Sequence, residues 1–321
     1  MKRYWQFIKE SRDAEIHNIC KRYNIENYTI NEDDSIDVDD NVYLYSIGLG
    51  QIPIKFREVT GDFNCSDNKL TSLVGCPKTI GGNFYCGNNK LTSLEGSPER
   101  VGGDFSCGYN NLTSLEGSPK TVGGNFHCYI NKLTILEGSP EKVGGGFDCQ
   151  TNKLTSLEGS PERVGGDFSC SFNKLTSLEG SPKRVGGNFS CRYNKLTSLE
   201  GSPERVDGDF SCRDNKLTSL EGGPERVGGH FVCDHNNLTS LEGFPLYFDT
   251  DKTVFAIDNP IQEIYKLFDD PKAIELMNDY GLINSEDMEV NHTILAEIFD
   301  SLGETPPPFN DIQLKHYTLV E

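Results

Sequence analysis

The feature that most constrains this chain is a cysteine that recurs at one constant spacing. Nine of the eleven cysteines obey it: Cys65, Cys86, Cys107, Cys128, Cys149, Cys170, Cys191, Cys212 and Cys233. The unit around each of them is close to G-G-D-F-S-C-x-x-N-K-L-T-S-L-E-G-S-P-E-R-V. Repeats of this length are typical of a solenoid, in which each repeat forms one coil and neighbouring coils bury a shared core.

The positions within the unit predict how one coil folds. Phe189 and Cys191 are two residues apart, so both point to the same side of a short strand. The Asn of the unit ends this strand, the two Leu point back inward, and Gly and Pro form the corners. Degenerate copies extend the pattern over residues 42–264. The sequence therefore predicts a mainly β solenoid of about eleven coils with one parallel sheet.

The order F-x-C-x-x-N-x-L, with a second Leu three residues later, resembles the leucine-rich repeat L-x-x-L-x-L-x-x-N-x-L. It is most similar to the short repeats of bacterial secreted effectors, although Phe and Cys stand where Leu dominates there. Repeats of this 21-residue type also look like those of proteins from tailed bacteriophages. The resemblance implies a parallel sheet on one side, irregular or polyproline-like backbone on the other, and ligand binding on the sheet face.

The segments that flank the solenoid predict small helical caps. Residues 11–41 read as an N-terminal helix followed by a linker, because apolar residues recur at helical spacing over residues 11–23. Residues 265–304 read as a helical C-terminal cap, with three short helices that begin near Pro260. The remaining residues, 305–321, are expected to form an extended tail.

The charge of the chain excludes one class of partner. The 30 basic and 49 acidic residues give a net charge of −19. Nucleic-acid binding depends on basic side chains that neutralise phosphates, so we expect no nucleic-acid partner. No stretch approaches the roughly 18 apolar residues of a membrane helix, and a secretory signal is not evident. We therefore expect no membrane contact and a cytoplasm-like compartment, which the resemblance to phage proteins implies is the cytoplasm of a bacterial host.

The residues with reactive side chains do not form a recognisable site in the sequence. The repeated cysteines occupy inward strand positions, where a free Cys behaves as a small buried apolar residue. His230 and His235 flank Cys233, but His230 and Cys233 face opposite sides of a strand. No catalytic motif stands out. We therefore expect no enzymatic activity, no catalytic residues, no cofactor and no metal.

The positions around each Cys that face outward do vary between copies, and they form the candidate binding face. Two residues after Cys, the middle copies carry Tyr109, Ile130, Thr151, Phe172 and Tyr193. The residues beside this stripe complete the candidate set: His127, Tyr129, Arg192 and Arg213. Aromatic residues and Arg are frequent anchors of protein interfaces. The variation predicts a face that binds a host or phage protein.

The first ten residues, MKRYWQFIKE, suggest where the protein is delivered. They resemble the leader M-K-x-Y-x-x-F-I-x-E of internal head proteins of T-even-type bacteriophages. This resemblance implies that residues 1–10 target the chain to the virion head and that a phage protease cleaves between Glu10 and Ser11. The alternative is an ordinary amphipathic N-terminal helix.

These observations favour a non-enzymatic binding module. The leading hypothesis is a phage protein that binds and inhibits a host defence protein. Two alternatives remain open at this point: a structural component of the phage particle or its scaffold, and an adaptor that recruits substrates to an enzyme.

Overall fold

The computed structural model describes a chain that divides into two units. The described residues are 2–245, 247–248, 252–268, 272–284 and 287–320. The N-terminal unit comprises residues 1–173 and 180–182, and the C-terminal unit comprises 174–179 and 183–321. Each unit contains coils, one for each copy of the repeat, that pair through short parallel strands. This arrangement confirms the predicted β-solenoid.

The first strand type of the N-terminal unit begins at the repeated Phe. We call these strands the phenylalanine sheet: Val42–Tyr43, Phe63–Asn64, Phe84–Tyr85, Phe105–Ser106, Phe126–His127, Phe147–Asp148 and Phe168–Ser169. Neighbouring strands are parallel, and each residue lies opposite its counterpart in the next copy of the repeat, as Phe105 lies opposite Phe126. Equivalent residues of different coils therefore form straight columns.

The second strand type ends at the repeated Val, and it corrects the expectation of a single parallel sheet. We call these strands the valine sheet: Ile36–Val38, Phe56–Val59, Thr79–Ile80, Arg100–Val101, Thr121–Val122, Lys142–Val143 and Arg163–Val164. Irregular backbone was expected here. Coils in register instead bring identical N–H and C=O groups to the pairing distance of strands, so even two residues pair. Most of these strands have two residues and a single apolar side chain, so the sequence carries little signal for the valine sheet.

The core between these sheets consists of columns of identical side chains. The stacked Phe rings, from Phe63 to Phe168, have centroids 5.1 to 5.9 Å apart and are almost completely buried. The repeated Cys and Leu residues are fully buried as well. Their burial confirms the inward positions that the repeat predicts.

The repeated Asn joins each coil to its neighbour. The Nδ2 of Asn131 donates to the carbonyls of Cys107 and Cys128 at 3.1 Å, and its Oδ1 accepts from the N–H of Leu112 at 3.0 Å. The same bonds recur at Asn89 with the carbonyls of the preceding coil and its own. Buried backbone groups at the end of the strand are thereby satisfied.

A second ladder of polar side chains lies immediately before the repeated Phe in most copies and is interrupted at Gly146. The sequence analysis did not identify it. The Oδ1 of Asn83 accepts from the N–H of Asp104 at 2.7 Å, and the Oδ1 of Asp104 accepts from the N–H of Asn125 at 2.7 Å. Asn and Asp can therefore replace each other at this position, because both have the Oδ1 atom that accepts the bond.

The turn after the second Leu requires glycine. Gly117 has a φ of +88°, which lies in the left-handed region. A Cβ atom at Gly117 would lie 2.7 Å from the backbone carbon of Leu94 in the preceding coil. Both the backbone angle and the close approach exclude other residues, which explains why this Gly recurs in every full copy.

The N-terminal segment differs in part from the expectation of a helix over residues 11–23 and a linker. The helix spans Lys2–Arg22 and buries Ile16 and Cys20. An antiparallel pair of strands, Tyr28–Ile30 and Ile36–Val38, replaces the linker, and Ile36–Val38 also pairs in parallel with Phe56–Val59 of the valine sheet. The hairpin turn contains Asp34 at a positive φ, a conformation that Asp tolerates.

The C-terminal unit contains coils of the same kind and a helical end. Its Phe-type strands are Phe189–Ser190, Phe210–Ser211, Phe231–Val232 and Val254–Phe255, and its Val-type strands are Arg184–Val185, Arg205–Val206, Arg226–Val227 and Tyr247–Phe248. The helices that follow are Gln262–Tyr265, Ala273–Asp279, His292–Leu302 and the 3-10 helix Phe309–Asp311. Helical segments therefore lie at both ends of the chain, as predicted.

The end of the chain also forms a small sheet, which the sequence analysis did not foresee. Its strands are Ile283–Asn284, Glu289–Asn291 and Thr318–Val320. Thr318–Val320 lies within the tail that was expected to be extended, and it pairs in parallel with Glu289–Asn291. None of the helices in the described part of the chain is long and apolar enough to cross a membrane.

Candidate protein-binding face

The candidate site of the N-terminal unit lies on the outer side of the phenylalanine sheet. We number its columns by position relative to Cys: column one precedes Cys, column two follows it, and column three is the residue after that. The N–H of each column-three residue donates to the column-two carbonyl of the next coil, as the N–H of Tyr109 does to Tyr129 at 3.1 Å. Column three therefore has the same backbone position in every coil.

Column three adopts a left-handed backbone throughout. The φ angles lie between 51° and 57° at the following residues: Asp67, Asn88, Tyr109, Ile130, Thr151 and Phe172. Asn and Asp visit this region readily, whereas other L-residues lose roughly 1–2 kcal/mol in it. A β-branched residue such as Ile130 or Thr151 is an outlier there. The coils from Tyr109 to Phe172 thus carry residues that disfavour the left-handed backbone, whereas the two preceding coils carry Asp67 and Asn88, which tolerate it.

Burial does not account for these four side chains. Tyr109 and Phe172 expose 53% and 48% of their surface, Thr151 is exposed, and Ile130 is half-buried. Burial of these side chains therefore offsets only part of the backbone strain. The strained and exposed residues coincide with the stripe that the sequence analysis selected.

Two further predicted residues, His127 and Tyr129, lie beside Tyr109. The rings of Tyr109 and Tyr129 meet edge to face with centroids 5.5 Å apart, and the rings of His127 and Tyr129 are 6.0 Å apart. Burial raises the pKa of the Tyr129 hydroxyl, so Tyr129 remains neutral at physiological pH. The three rings form one aromatic cluster on columns one to three.

Column one also places Ser106, His127 and Asp148 on adjacent strands, residue types that form the triad of many hydrolases. The bonds of a triad are not assembled here. The carboxylate of Asp148 accepts from the backbone N–H and the side-chain amide of Gln150, at 3.0 and 3.1 Å. The buried Nδ1 of His127 has no hydrogen-bond partner among the described residues. Burial raises the pKa of Asp148, which weakens it further as a counter-charge.

The outer surface also contains a recess that the sequence analysis missed. It has a volume of about 560 Å³. Its walls are Asn64, Ser66, Asp67, Tyr85, Gly87, Asn88, Ser106, Gly108, Tyr109 and Tyr129. The available signal was the glycine that follows Cys86 and Cys107 in two successive repeats, which removes two side chains from column two.

The C-terminal unit holds the other predicted face residues. Tyr193 has a φ of 55° and exposes 42% of its surface, so it repeats the strained column-three arrangement. Arg192 is exposed, and its Nε donates to the hydroxyl of Ser190 at 3.0 Å. The Nε of Arg213 donates to Asp214 at 3.0 Å. Arg213 is therefore engaged within its own coil.

The predicted cleavage residues, Glu10 and Ser11, lie in the middle of the helix Lys2–Arg22 and are exposed. The side-chain amide of Gln6 donates to Glu10 at 3.1 Å. Met1, the first residue of the expected leader, lies outside the described residues. Since proteases bind extended segments, cleavage after Glu10 requires this part of the helix to unwind.

The repeated cysteines are buried, as the repeat predicts. Burial raises the pKa of the thiols, for example those of Cys128 and Cys149. A thiol that stays protonated is a poor nucleophile and a poor metal ligand. Within the described ranges, no group of three His, Cys, Asp or Glu side chains is placed to hold a metal ion.

Comparison with known proteins adds a distant likeness to a solved structure. No protein-family profile and no curated protein matches this sequence. Among solved structures, YopM from Yersinia enterocolitica WA-314 matches with 16% identity and a TM-score of 0.29, over 68% of this chain and 64% of that chain. The match spans less than two-thirds of that protein's length. A likeness at this TM-score says nothing about the function or the partners of the present chain.

Proposed function

We propose that this chain is a non-enzymatic protein-binding solenoid whose partner contacts column three of the N-terminal unit. One observation carries the proposal: Tyr109, Ile130, Thr151 and Phe172 occupy a left-handed backbone that the same unit elsewhere fills with Asp and Asn. Strain that local packing does not return is characteristic of functional positions. Exposed aromatic and aliphatic side chains at such positions suit the anchors of an interface.

A finer proposal concerns the partner and the setting. We propose that the protein belongs to a tailed bacteriophage and that it inhibits a defence protein in the cytoplasm of the host. The support is the resemblance of residues 1–10 to the leader of internal head proteins, together with a repeat type seen in phage proteins. Delivery with the DNA would place the inhibitor in the cell before phage genes are expressed.

Two column-three substitutions test the binding face. Full-length protein carrying Ile130→Asn and Phe172→Asn is immobilised beside the unchanged protein, and both are exposed to lysate of infected bacteria. Asn fits the left-handed backbone, so the variant stays folded while the apolar anchors are removed. We expect the partner to be retained by the unchanged protein and lost by the variant.

The matched control changes the opposite surface of the same unit. Arg163 is exposed on the valine sheet, so Arg163→Ala alters a long side chain without altering column three. The control should recover the same partner as the unchanged protein. Equal recovery by all three proteins would contradict the proposed face.

Mass spectrometry of purified phage particles tests the delivery proposal. Peptides that begin at Ser11 in the particle would support packaging followed by cleavage after Glu10. Detection only in infected-cell lysate, with residues 1–10 intact, would contradict it and would leave the binding face untouched.

A further inference from the structure

The recess on the phenylalanine sheet owes its shape to two glycines in column two. A Cβ atom at Gly87 would lie 3.2 Å from the carbonyl oxygen of Gly108, 3.9 Å from the hydroxyl of Ser106 and 4.0 Å from the backbone nitrogen of Gly108. With no side chain of its own, Gly87 contributes only backbone to the walls of the recess. Neither glycine has a positive φ that would explain its presence, so the backbone does not require Gly at these positions.

One wall of the recess is an aromatic surface that is held in place. The Tyr129 ring lies across Gly108, since a Cβ atom there would be 2.8 Å from the ring. The Tyr109 ring meets the Tyr129 ring edge to face, with centroids 5.5 Å apart. Tyr85 completes this group of aromatic side chains. A ring fixed by its neighbours needs little ordering when a ligand binds.

The opposite wall is polar and negative. The Oδ1 of Asp67 accepts from the side-chain amide of Asn88 at 2.6 Å, and its Oδ2 lies 3.2 Å from the hydroxyl of Ser66. The residues that form the walls include no Lys, Arg or His. Burial and then the negative charges of Asp104 and Asp62 raise the pKa of Tyr85, so the surroundings of the recess favour a cation.

We propose that this recess binds the guanidinium group of an arginine side chain on the partner protein. A planar cation stacks on Tyr rings while its N–H groups donate to a carboxylate, here that of Asp67. The inference rests on the proposed function, because it names the chemistry of one contact between this chain and its partner. The net charge of −19 further favours a partner with a basic surface.

NMR titration of the tyrosine ring signals tests the recess without knowledge of the partner. The probe is N-acetyl-arginine amide, and the comparison probes are N-acetyl-norleucine amide and methyl glucoside. We expect the arginine probe to shift the signals of Tyr85, Tyr109 and Tyr129 saturably, with a Kd on the order of millimolar that rises with salt. Equal shifts with norleucine or glucoside would overturn the assignment of a cation.

Three variants locate the probe. Asp67→Asn removes the charge, and we expect it to raise the Kd at least about threefold, since charge-assisted bonds exceed neutral ones. Gly108→Ala displaces the Tyr129 ring, and we expect it to raise the Kd about tenfold or abolish the shifts, as loss of the aromatic wall removes the stacking surface. The matched control is Gly50→Ala, whose Cβ atom would meet nothing within 4 Å. An unchanged Kd in Asp67→Asn, or a loss in Gly50→Ala, would overturn the inference.

Partner capture separates this inference from the proposed function. Ile130 and Phe172 do not form walls of the recess. If Ile130→Asn with Phe172→Asn loses the partner while Asp67→Asn and Gly108→Ala retain it, the binding face stands and the arginine contact is overturned. If the probe binds as expected but column three does not affect capture, the recess stands and the proposed face fails.

Discussion

Two neighbouring stretches of the N-terminal unit share one backbone and differ in what they expose. The coils of Asp67 and Asn88 fill the left-handed position of column three with residues that suit it, whereas those of Tyr109 to Phe172 do not. The φ angles of both stretches nevertheless lie between 51° and 57°. The backbone therefore does not adapt to the residue. The difference teaches that the side chains of the second stretch are not there to stabilise the coil.

The inner sides of the two stretches are built alike. The Phe stack continues through both, and the Phe84 and Phe147 rings are both almost completely buried. The ladder bonds of Asn89 match those of Asn131, with equivalent partners at nearly equal distances. The core and the proposed binding face thus lie on opposite sides of the same strands, and substitutions can address them separately.

The largest expected effect is the loss of one ladder amide from either stretch. Asn89→Ala and Asn131→Ala each leave one buried N–H, that of Leu70 or Leu112, without a partner. Each also removes one of the two amide donors from each Cys carbonyl that it reaches, so each should lower the free energy of unfolding by about 2–4 kcal/mol. Urea denaturation followed by circular dichroism measures both. Equal losses would confirm that the inner sides are equivalent, and a much smaller loss at Asn131 would break the comparison.

Two smaller effects, opposite in sign to each other, are expected when the residue types of column three are exchanged between the stretches. Asn88→Ile places a β-branched residue in the left-handed region and removes the bond to Asp67, so it should destabilise the protein by about 1–2 kcal/mol. Thr151→Asn, at an exposed site, should stabilise it by up to about 1 kcal/mol. Shifts of the urea midpoint report both signs. A Thr151→Asn variant that is less stable than the unchanged protein would refute the strain argument.

The second stretch also contains a partly buried carboxylate, that of Asp148, which should lower the stability in a pH-dependent way. Burial raises the pKa of Asp148 in the folded protein, so the folded state holds this proton more tightly than the unfolded state. Stability is therefore lost as the pH rises from the unfolded pKa through the folded one. Asp148→Asn should raise the free energy of unfolding at pH 7, and the gain should disappear below about pH 3, where both states are protonated.

The measurement is urea denaturation of the Asp148→Asn variant and the unchanged protein at a series of pH values. Ser169→Asn, at the same column of the next coil, is the matched control because it removes no charge. A stabilisation by Asp148→Asn that persists unchanged at acid pH would show that the carboxylate is not the cause.

The smallest effect is expected on the other face of the unit. Arg163→Ala, on the valine sheet, should change the free energy of unfolding by less than about 0.5 kcal/mol, as is usual for exposed sites. The same urea experiment provides the baseline for the other variants. A loss well beyond this range would indicate that the outer side chains of this sheet stabilise the stack.

The repeat made most of the fold predictable. Phe, Cys, Asn and Leu recur at fixed positions, and a single coil cannot bury them, so stacking in register was the only consistent solution. The valine sheet was missed because strands such as Arg163–Val164 are only two residues long. A strand with a single apolar residue is too short to show the alternation that predicts a strand. The Asp and Asn ladder was missed because either residue supplies the Oδ1 atom that the bond needs. The exchange of Asp and Asn between copies therefore resembled a position without a fixed role.

The candidate face was predicted in composition but not in its strain. Tyr109 and Phe172 were selected because they vary and are aromatic, and neither property reveals a positive φ. The signal lay in the flanking repeats, where Asp67 and Asn88 stand at the same position and indicate a left-handed turn. The recess escaped notice because it depends on Gly108 and on where the Tyr129 ring lies, which only the arrangement in space defines.

The strict register of the coils also has a consequence for how such a chain evolves. The bonds of both ladders connect neighbouring repeats through equivalent positions in successive coils, as the Oδ1 of Asn83 accepts from the N–H of Asp104. Recombination between near-identical copies of the repeat can therefore add, delete or reorder coils while every ladder closes again. Such an event would change the outward columns in one step and leave the core contacts as they were, so the fold permits a new outer surface to arise by shuffling of coils.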